Sequence, residues 1–383
     1  MQRVIEEFSL SIEQLLLEAQ KVTRQIEMGI NGEVSDFAML PSYLGFLLGQ
    51  GEGCFLALDF GGSNLRIAKM QLCKNKISQQ DVAQISLQEL LPNKNGKMIE
   101  LFFNIALFIS DFAGEKGGLL GHTFSYPMVQ NGINDGRLKN WTKELSFVDA
   151  QNVDINKILT ESLVTAGRKD IVPSVILNDT TAVFLSACYE EGTPDVIGSI
   201  CGTGHNSAYY EPKKKMVINL EAGNFSPASQ TRFDKLLDSE SNCPGEQLLE
   251  KMVAGNYLAR LVGLVAKEYG LNVAHIQTSA DLSVVLQEQS NLLYPIVRAV
   301  IKRAAGLVAA EYFGIYNYLK KNEIILKNIA IDGSIYNKIP FFRQEVANAL
   351  VNFMPEQPRL LAREGSSLKG AAVACSFVKQ RCF

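Results

Sequence analysis

The fold class this sequence predicts is α/β: a duplicated chain of two halves, each running β-β-β-α-β-α-β-α, facing each other across a central cleft. Three observations carry the prediction. Apolar alternation marks three closely spaced strands near 54–59, 65–72 and 81–87, and a second trio near 195–201, 206–211 and 215–220. After each trio, helical and strand-like segments alternate, so the order of elements repeats although residue identity does not. Each half also places a glycine turn between its first two strands, at Gly61–Gly62 and at Gly202–Gly204. There the backbone can turn with positive φ and no Cβ bars a phosphate.

The elements follow in order. The opening "MQRVIEEFSLSIEQLLLEAQ" interleaves acids with apolar residues at helical spacing, which predicts an amphipathic surface helix and neither a signal peptide nor an anchor. After the first strand trio comes a helix over 97–113, a strand at 119–124 ("LLGHTF") and a polar loop rich in Asn, Gly and Lys to about 153. A helix near 154–168, the strand "SVILN" at 174–178 and a helix starting at Asp179 complete the first half. Beyond the second trio the pattern predicts helices over 244–269 and 290–321, the second either continuous or broken, a strand at 328–332, a helix near 340–353, a short strand near 358–362 and a last helix from about 367. Ligands of open α/β sheets sit beyond the carboxyl ends of strands, and those ends carry Asp59, Asp179, Gly202 and Asp332.

Bulk properties narrow the function. A chain of 383 residues with 47% hydrophobic content builds about two packed domains. A net charge of −3 offers no basic field for nucleic acid or an anionic membrane, so the expected partner is a small molecule. The 7 cysteines are scattered with no C-x-x-C pair, which predicts reduced thiols in a cytoplasmic protein. No apolar run approaches the roughly 18 residues of a membrane span.

The chemistry gathers at the strand ends. After Asp59, the turn Gly61, Gly62, Ser63, Asn64 offers backbone and side-chain donors, and Arg66 adds a guanidinium that keeps its charge. Gly202, Thr203 and Gly204 repeat the logic, and Gly333 with Ser334 makes a third strand–glycine–hydroxyl corner. None is a G-x-x-x-x-G-K-[ST] loop or a G-x-G-x-x-G turn. A single such turn is explained by hairpin geometry; three in one chain are not. His122, His205 and His275 belong to no H-E-x-x-H motif, no G-x-S-x-G accompanies them, and they read as structural or exposed. In "ILNDTTAVF", Asn178 and Asp179 stand where a carboxylate is either a helix cap or a catalytic group. Ser125, Thr142, Lys143, Asn206, Glu221 and Glu250 form a companion set of neutral donors and carboxylates, suited to a polyhydroxy ligand whose hydroxyls donate to Glu and accept from Asn or Thr. Taken singly, Glu250 reads as a helix-surface residue and Glu221 as a loop acid.

In this order the motifs resemble the hexokinase family, the eukaryotic-type hexokinases and glucokinases of the actin/Hsp70-like superfold. "LALDFGGSNLR" is similar to its first phosphate motif, "LGHTFSYPMVQNGINDGRLKNWTKEL" to its sugar segment and "ILNDTTAVFLSACY" to its catalytic-aspartate motif. "IGSICGTGHNSAYY" resembles its second phosphate motif, "INLEAGNF" and "CPGEQLLEKMVAGNYL" its glutamate motifs, and "IAIDGSIYNKIP" its adenosine motif. The resemblance runs from about Phe8 to Ala374.

It implies a two-domain actin-like (ribonuclease H-like) fold, with residues 50–180 plus 366–383 as the small domain and 1–49 plus 181–365 as the large one. It implies an ATP-dependent transfer of the γ-phosphate to the 6-hydroxyl of glucose and of mannose or fructose. ATP and Mg2+ are its cofactors, and the chain would be a monomer or homodimer. Asp179 would be the general base. Ser125, Thr142, Lys143, Asn178, Asn206, Glu221 and Glu250 would hold the sugar, with Lys143 also near the transferring phosphoryl group. Asp59 would face magnesium through water. Gly61, Gly62, Ser63, Asn64, Arg66, Gly202, Thr203 and Gly204 would meet the phosphates, and Gly333 and Ser334 would border the adenosine. The alternative from another class is a catalytically silent sugar sensor of the same fold, for which Asp179, Lys143 and the phosphate turns have no use. The chain departs from the family pattern at Ser63, where threonine is usual, at His205, where a small or apolar residue is common, and in the spacing of "REGSSLKGAAVA" around Gly365 to Lys369.

Overall fold

In a computed structural model of the chain, residues 2–46, 51–61, 64–91, 97–126, 128–138, 147, 152–354 and 356–381 are described. The expected first helix is two, α1 (Gln2–Glu7) and α2 (Ile12–Ile30). Ser11 breaks the run by capping: its hydroxyl accepts from the Gln14 N–H at 3.2 Å, and the Gln14 side chain accepts from the Ser11 N–H at 2.8 Å. A short β1 (Leu40–Pro41) precedes the first trio, β2 (Gly53–Phe60), β3 (Asn64–Cys73) and β4 (Lys76–Ser86). Then come α3 (Leu87–Leu90), α4 (Met98–Ala113) and β5 (Gly118–Phe124).

The segment expected as a polar loop contains a hairpin, β6 (Met128–Gly132) and β7 (Asp135–Leu138). Its strands are too short and polar to show an apolar period. After it stand α5 (Ile155–Thr165), β8 (Ile171–Leu177) and α6 (Asp179–Glu191).

The second half opens with β9 (Val196–Cys201), β10 (His205–Glu211) and β11 (Met216–Asn219), then a single 3-10 turn, Ala222–Asn224. The helix expected over 244–269 is broken into α8 (Leu248–Val253) and α9 (Gly255–Glu268) by the extended backbone of Ala254, and α7 (Arg232–Ser239) precedes it. Next are α10 (Ser279–Val285) and α11 (Tyr294–Lys321), the latter unbroken and started by a proline in its first turn. The chain continues with β12 (Asn328–Asp332), α12 (Ser334–Lys338), α13 (Phe342–Phe353), β13 (Arg359–Arg363) and α14 (Ser366–Arg381).

The duplication is visible in strand order. One sheet runs β4-β3-β2-β5-β8; the other runs β11-β10-β9-β12-β13 with β1 added at its β11 edge. In the first, β2–β3 and β3–β4 are antiparallel, while β5 and β8 add on in parallel. By contact density the chain divides into two compact units, residues 1–39, 199–207 and 220–364, and residues 40–198, 208–219 and 365–383.

Within the second unit, Leu58, Phe60 and Ile67 of the sheet pack with Phe102, Ile105 and Ile109 of α4 and Leu159 and Leu163 of α5. Each such side chain taken fully from water stabilises the fold by about 1.5–3 kcal/mol. In the first unit, α11 is buried on most of its surface, and α2 crosses it at Gly314, whose carbonyl accepts from Thr23 Oγ1 at 2.9 Å. Among the described residues, no helix is long and apolar enough to cross a membrane.

Candidate functional site

In the unit holding the β2–β3 turn, strand register sets the chemistry. Asp59 lies opposite Arg66 across the β2–β3 pair and opposite Thr123 across the β2–β5 pair. The three side chains therefore form a row on one face. Arg66 donates to Asp59 Oδ2 from Nε at 3.0 Å and from Nη2 as well, and Thr123 Oγ1 donates to Asp59 Oδ1 at 2.8 Å. The carboxylate is buried, while 40% of the Arg66 side chain is exposed. At the turn itself, the Gly61 N–H donates to Asn64 O at 3.0 Å, closing the hairpin. Gly62 and Ser63 lie outside the described residues.

Two strands away, β8 delivers the chain to α6. Asn178 is the helix cap, its side-chain oxygen accepting from the Thr180 N–H at 2.8 Å. That assignment frees Asp179 from the capping role. Asp179 is the first residue of the helix: its Oδ1 accepts from the Thr180 N–H at 2.8 Å, and its Oδ2 accepts from Ser125 Oγ at 3.1 Å. The helix N-terminus favours the ionised carboxylate. Thus Ser125, Asn178 and Asp179 are brought together at the start of α6. Thr142 and Lys143 lie outside the described residues.

In the other unit, the turn between β9 and β10 is sealed by glycine contacts and by the start of α9. Gly202 N donates to Gly204 O at 3.0 Å, the Gly255 N–H donates to Gly202 O at 2.8 Å, and the Asn256 N–H donates to Thr203 O at 3.2 Å. Thr203 stays exposed. Gly333 has φ of +120°, and a Cβ there would lie 2.5 Å from the Cys201 carbonyl, so only glycine fits this corner. Ser334 follows as the first, exposed residue of α12.

Both glutamates gather at the start of β10. The His205 N–H donates to Glu250 Oε2 at 3.0 Å, and Asn206 Nδ2 donates to Glu221 Oε1 at 3.4 Å. Glu221 sits in the left-handed region at φ +55°, a conformation uncommon outside glycine and found at functional positions. Each glutamate is half-buried, unlike the surface and loop acids they resemble singly.

Sequence reasoning missed Thr123 and Glu311. Thr123 acquires its partner only through strand register. Glu311 is a lone acid in the apolar stretch "GLVAAEYFG", buried in mid-α11 and paired with His205 Nε2. That lone acid was the signal. Burial opposes a charge on His205, but the facing Glu311 and Cys201 more than reverse it, raising the imidazole to about 10. His122 is the opposite case: packed against Phe60 and Phe124, it is pushed down to about 3 by burial, which outweighs the opposing effect of Asn156. His275 is exposed. A cavity of about 520 Å³ opens beside Tyr336, Arg343 and Leu360, and none of the candidate residues lines it. Among the described residues, no cluster of three His, Cys, Asp or Glu side chains could hold a metal ion.

Comparison with known proteins bears on the whole chain. One family model described as Hexokinase matches residues 1–189, and a second of the same description matches 196–279 and 269–377. Hexokinase-7 of Oryza sativa subsp. japonica is 30% identical, over 89% of this chain and 89% of its own. Hexokinase-2 of the same organism is 32% identical, over 91% of this chain and 84% of its own. The solved hexokinase from Schistosoma mansoni complexed with glucose superposes with a TM-score of 0.81 at 26% identity, covering 98% of this chain and 97% of that one. A second solved hexokinase gives a TM-score of 0.84 at 25% identity, with the same coverage. The two sheets and their duplicated order are those of the two-domain actin-like fold. With both halves matched and relatives aligned over most of their length, the chain belongs to the hexokinase family of ATP-using sugar kinases.

Proposed function

We propose that this kinase transfers the γ-phosphate of MgATP to the 6-hydroxyl of glucose, and of mannose and fructose too. The setting of Asp179 carries the reading. One of its oxygens faces the Thr180 N–H and the other faces the Ser125 hydroxyl, so the carboxylate is held in one orientation at the start of α6. In the reaction the 6-hydroxyl proton passes to Asp179 as the O6–Pγ bond forms. The Pγ–O bond to ADP breaks, and ADP leaves with its electron pair. Positioning and charge stabilisation supply the rest of the rate.

Ser125, Asn178, Asn206, Glu221 and Glu250 are proposed sugar contacts, joined by Thr142 and Lys143, with Lys143 also reaching the transferring phosphoryl group. Arg66, Gly61–Asn64 and Gly202–Gly204 are proposed for the phosphates, and Gly333–Ser334 for adenosine. Magnesium arrives with the nucleotide. Both oxygens of Asp59 already accept hydrogen bonds, a fit for holding magnesium-bound water through the remaining lone pairs. The functional domains we propose are residues 50–180 with 366–383, and 1–49 with 181–365, in a cytoplasmic enzyme.

Asp179→Ala and Asp179→Asn test this. Each should lower kcat by about 10²–10⁴ while calorimetry finds glucose affinity within a few-fold. Near-normal kcat in either variant rules out the base assignment. A wild-type protein that binds hexoses and turns over none of them is a sensor.

A further inference from the structure

We infer that His205 and Glu311 are positioning residues for the carboxylates Glu250 and Glu221: their buried pair pins the start of β10 to α11, and the first two residues of β10 hold both glutamates. The inference rests on the hexose-kinase reading, which gives those carboxylates their ligand.

The His205 ring has two tasks in the core. Its Nδ1 lies 3.1 Å from Ile200 O, and a carbonyl only accepts, so Nδ1 carries a hydrogen. Its Nε2 meets Glu311 Oε2, with both side chains 1% exposed or less. Donating in both directions is the work of an imidazolium, and the raised basicity of this histidine agrees with that geometry. The titratable groups facing the ring are Cys201 on β9 and Glu311 on α11; Glu250 on α8 meets the backbone of the same residue.

The backbone side of His205 reaches the proposed sugar site. Its N–H holds Glu250 Oε2 at 3.0 Å. Gly204 allows this approach, since a Cβ there would stand 2.8 Å from the same oxygen. Asn206 comes next. Its Oδ1 accepts from the Ala222 N–H at 3.0 Å and the Ser207 N–H at 2.8 Å, which orients Nδ2 toward Glu221. Tyr312, adjacent to Glu311 on α11, donates to Ser199 Oγ at 2.9 Å, and Ser199 Oγ donates to Asn206 O at 2.9 Å. Two neighbouring residues of one helix thus secure two neighbouring residues of the strand.

The turn therefore has two separate anchors. Gly202 and Thr203 are held by the first residues of α9, through Gly255 and Asn256. Residues 205 and 206 are held by α11. Loosening the α11 anchor should disturb the sugar-side carboxylates while leaving the proposed phosphate side, Gly202 and Thr203, on its own support. A purely structural role would affect both substrates alike.

The experiment compares Glu311→Leu, Glu311→Gln and the double variant His205→Leu/Glu311→Leu with wild type. Glucose Kd is read by calorimetry, KM and kcat with glucose and MgATP, and folding by thermal melting. Glu311→Leu should raise the glucose Kd and KM about ten-fold or more, with the MgATP KM changed less than about three-fold. Glu311→Gln, whose amide can accept from the charged ring or donate to the neutral one, should stay within about three-fold of wild type. The double variant, which leaves no unpaired buried charge, should fold and still bind glucose weakly; it decides the matter if Glu311→Leu does not fold. A folded Leu or double variant with wild-type glucose Kd overturns the inference, as does a parallel rise in both KM values. If wild type neither binds nor phosphorylates any hexose, the functional reading has failed instead; if wild type turns over glucose and these variants keep its affinity, this inference alone has failed.

Discussion

The hairpins β2–β3 and β9–β10 occupy the same place in the two halves of the duplicated chain, yet they are secured by different physics. In the first, Asp59 is buried and only its partner Arg66 lies at the rim, 40% exposed on its side chain. In the second, the charged pair His205–Glu311 lies wholly inside. A guanidinium at the rim is partly screened by water and has donors left for an anionic ligand. A buried pair is locked, because separating it strands a charge without solvent. The repeat thus preserves topology while one turn is secured by a pair open to water on one side and the other by a pair closed inside the core.

The sharpest way to break this comparison is to remove one member of each pair. Glu311→Leu should lower stability by about 3–5 kcal/mol in urea unfolding, and adding His205→Leu should recover much of that loss. Equal stability of the single and double variants would show that the buried charge is already solvated.

Acid and alkali should come next in size, because the two buried histidines have opposite signs. His122, pushed down to about 3, is neutral when folded and protonates more readily unfolded. Stability from this group is therefore lost as pH falls below about 6.5, by at most about 1.4 kcal/mol per pH unit. His205, raised to about 10, contributes stability that is full below about 6.5 and is lost as pH rises through its folded value. Urea midpoints across pH should peak near the ordinary histidine pKa of about 6.5. The double His205→Leu/Glu311→Leu variant should lose the alkaline limb and keep the acid one.

Arg66→Ala should be milder for the fold, about 1–2 kcal/mol, but should raise the MgATP KM about ten-fold with little change in glucose affinity. A glucose-specific defect would assign this pair to the wrong substrate. Thr123→Val should be smallest, about 1 kcal/mol, and a shift in MgATP KM there would show that Asp59 is aimed by both neighbours.

Much of this was legible in the sequence, and what was not has a physical cause. The strand trios and their glycine turns announced themselves through alternation, and β12 was placed at its observed bounds because "NIAID" is an apolar run closed by a glycine corner. The break at Ala254 was invisible, since alanine is a strong helix former and the extended backbone there is imposed by the hydrogen bond from Gly255 to the Gly202 turn. At the candidate site, Ser125 and Asp179 were both named from motif order, but the hydrogen bond between them is seen only in the structure. The Asp59–Thr123 bond required knowing which residues face each other across a parallel pair. His205 and Glu311 are 106 residues apart in sequence, and nothing local in either segment names the other.

The row Arg66–Asp59–Thr123 also limits how this chain can change in length. Its members face one another only because three strands keep a common register, and a one-residue insertion or deletion within β2, β3 or β5 would turn that strand's side chains to the other face. Asp59 would then be withdrawn from the row without a single substitution. Length variation here is expected to be tolerated in the connections and rejected within these strands, a pattern that a scan of single-residue deletions through residues 53–73 and 118–124 would display as three windows of lost MgATP use, at β2, β3 and β5.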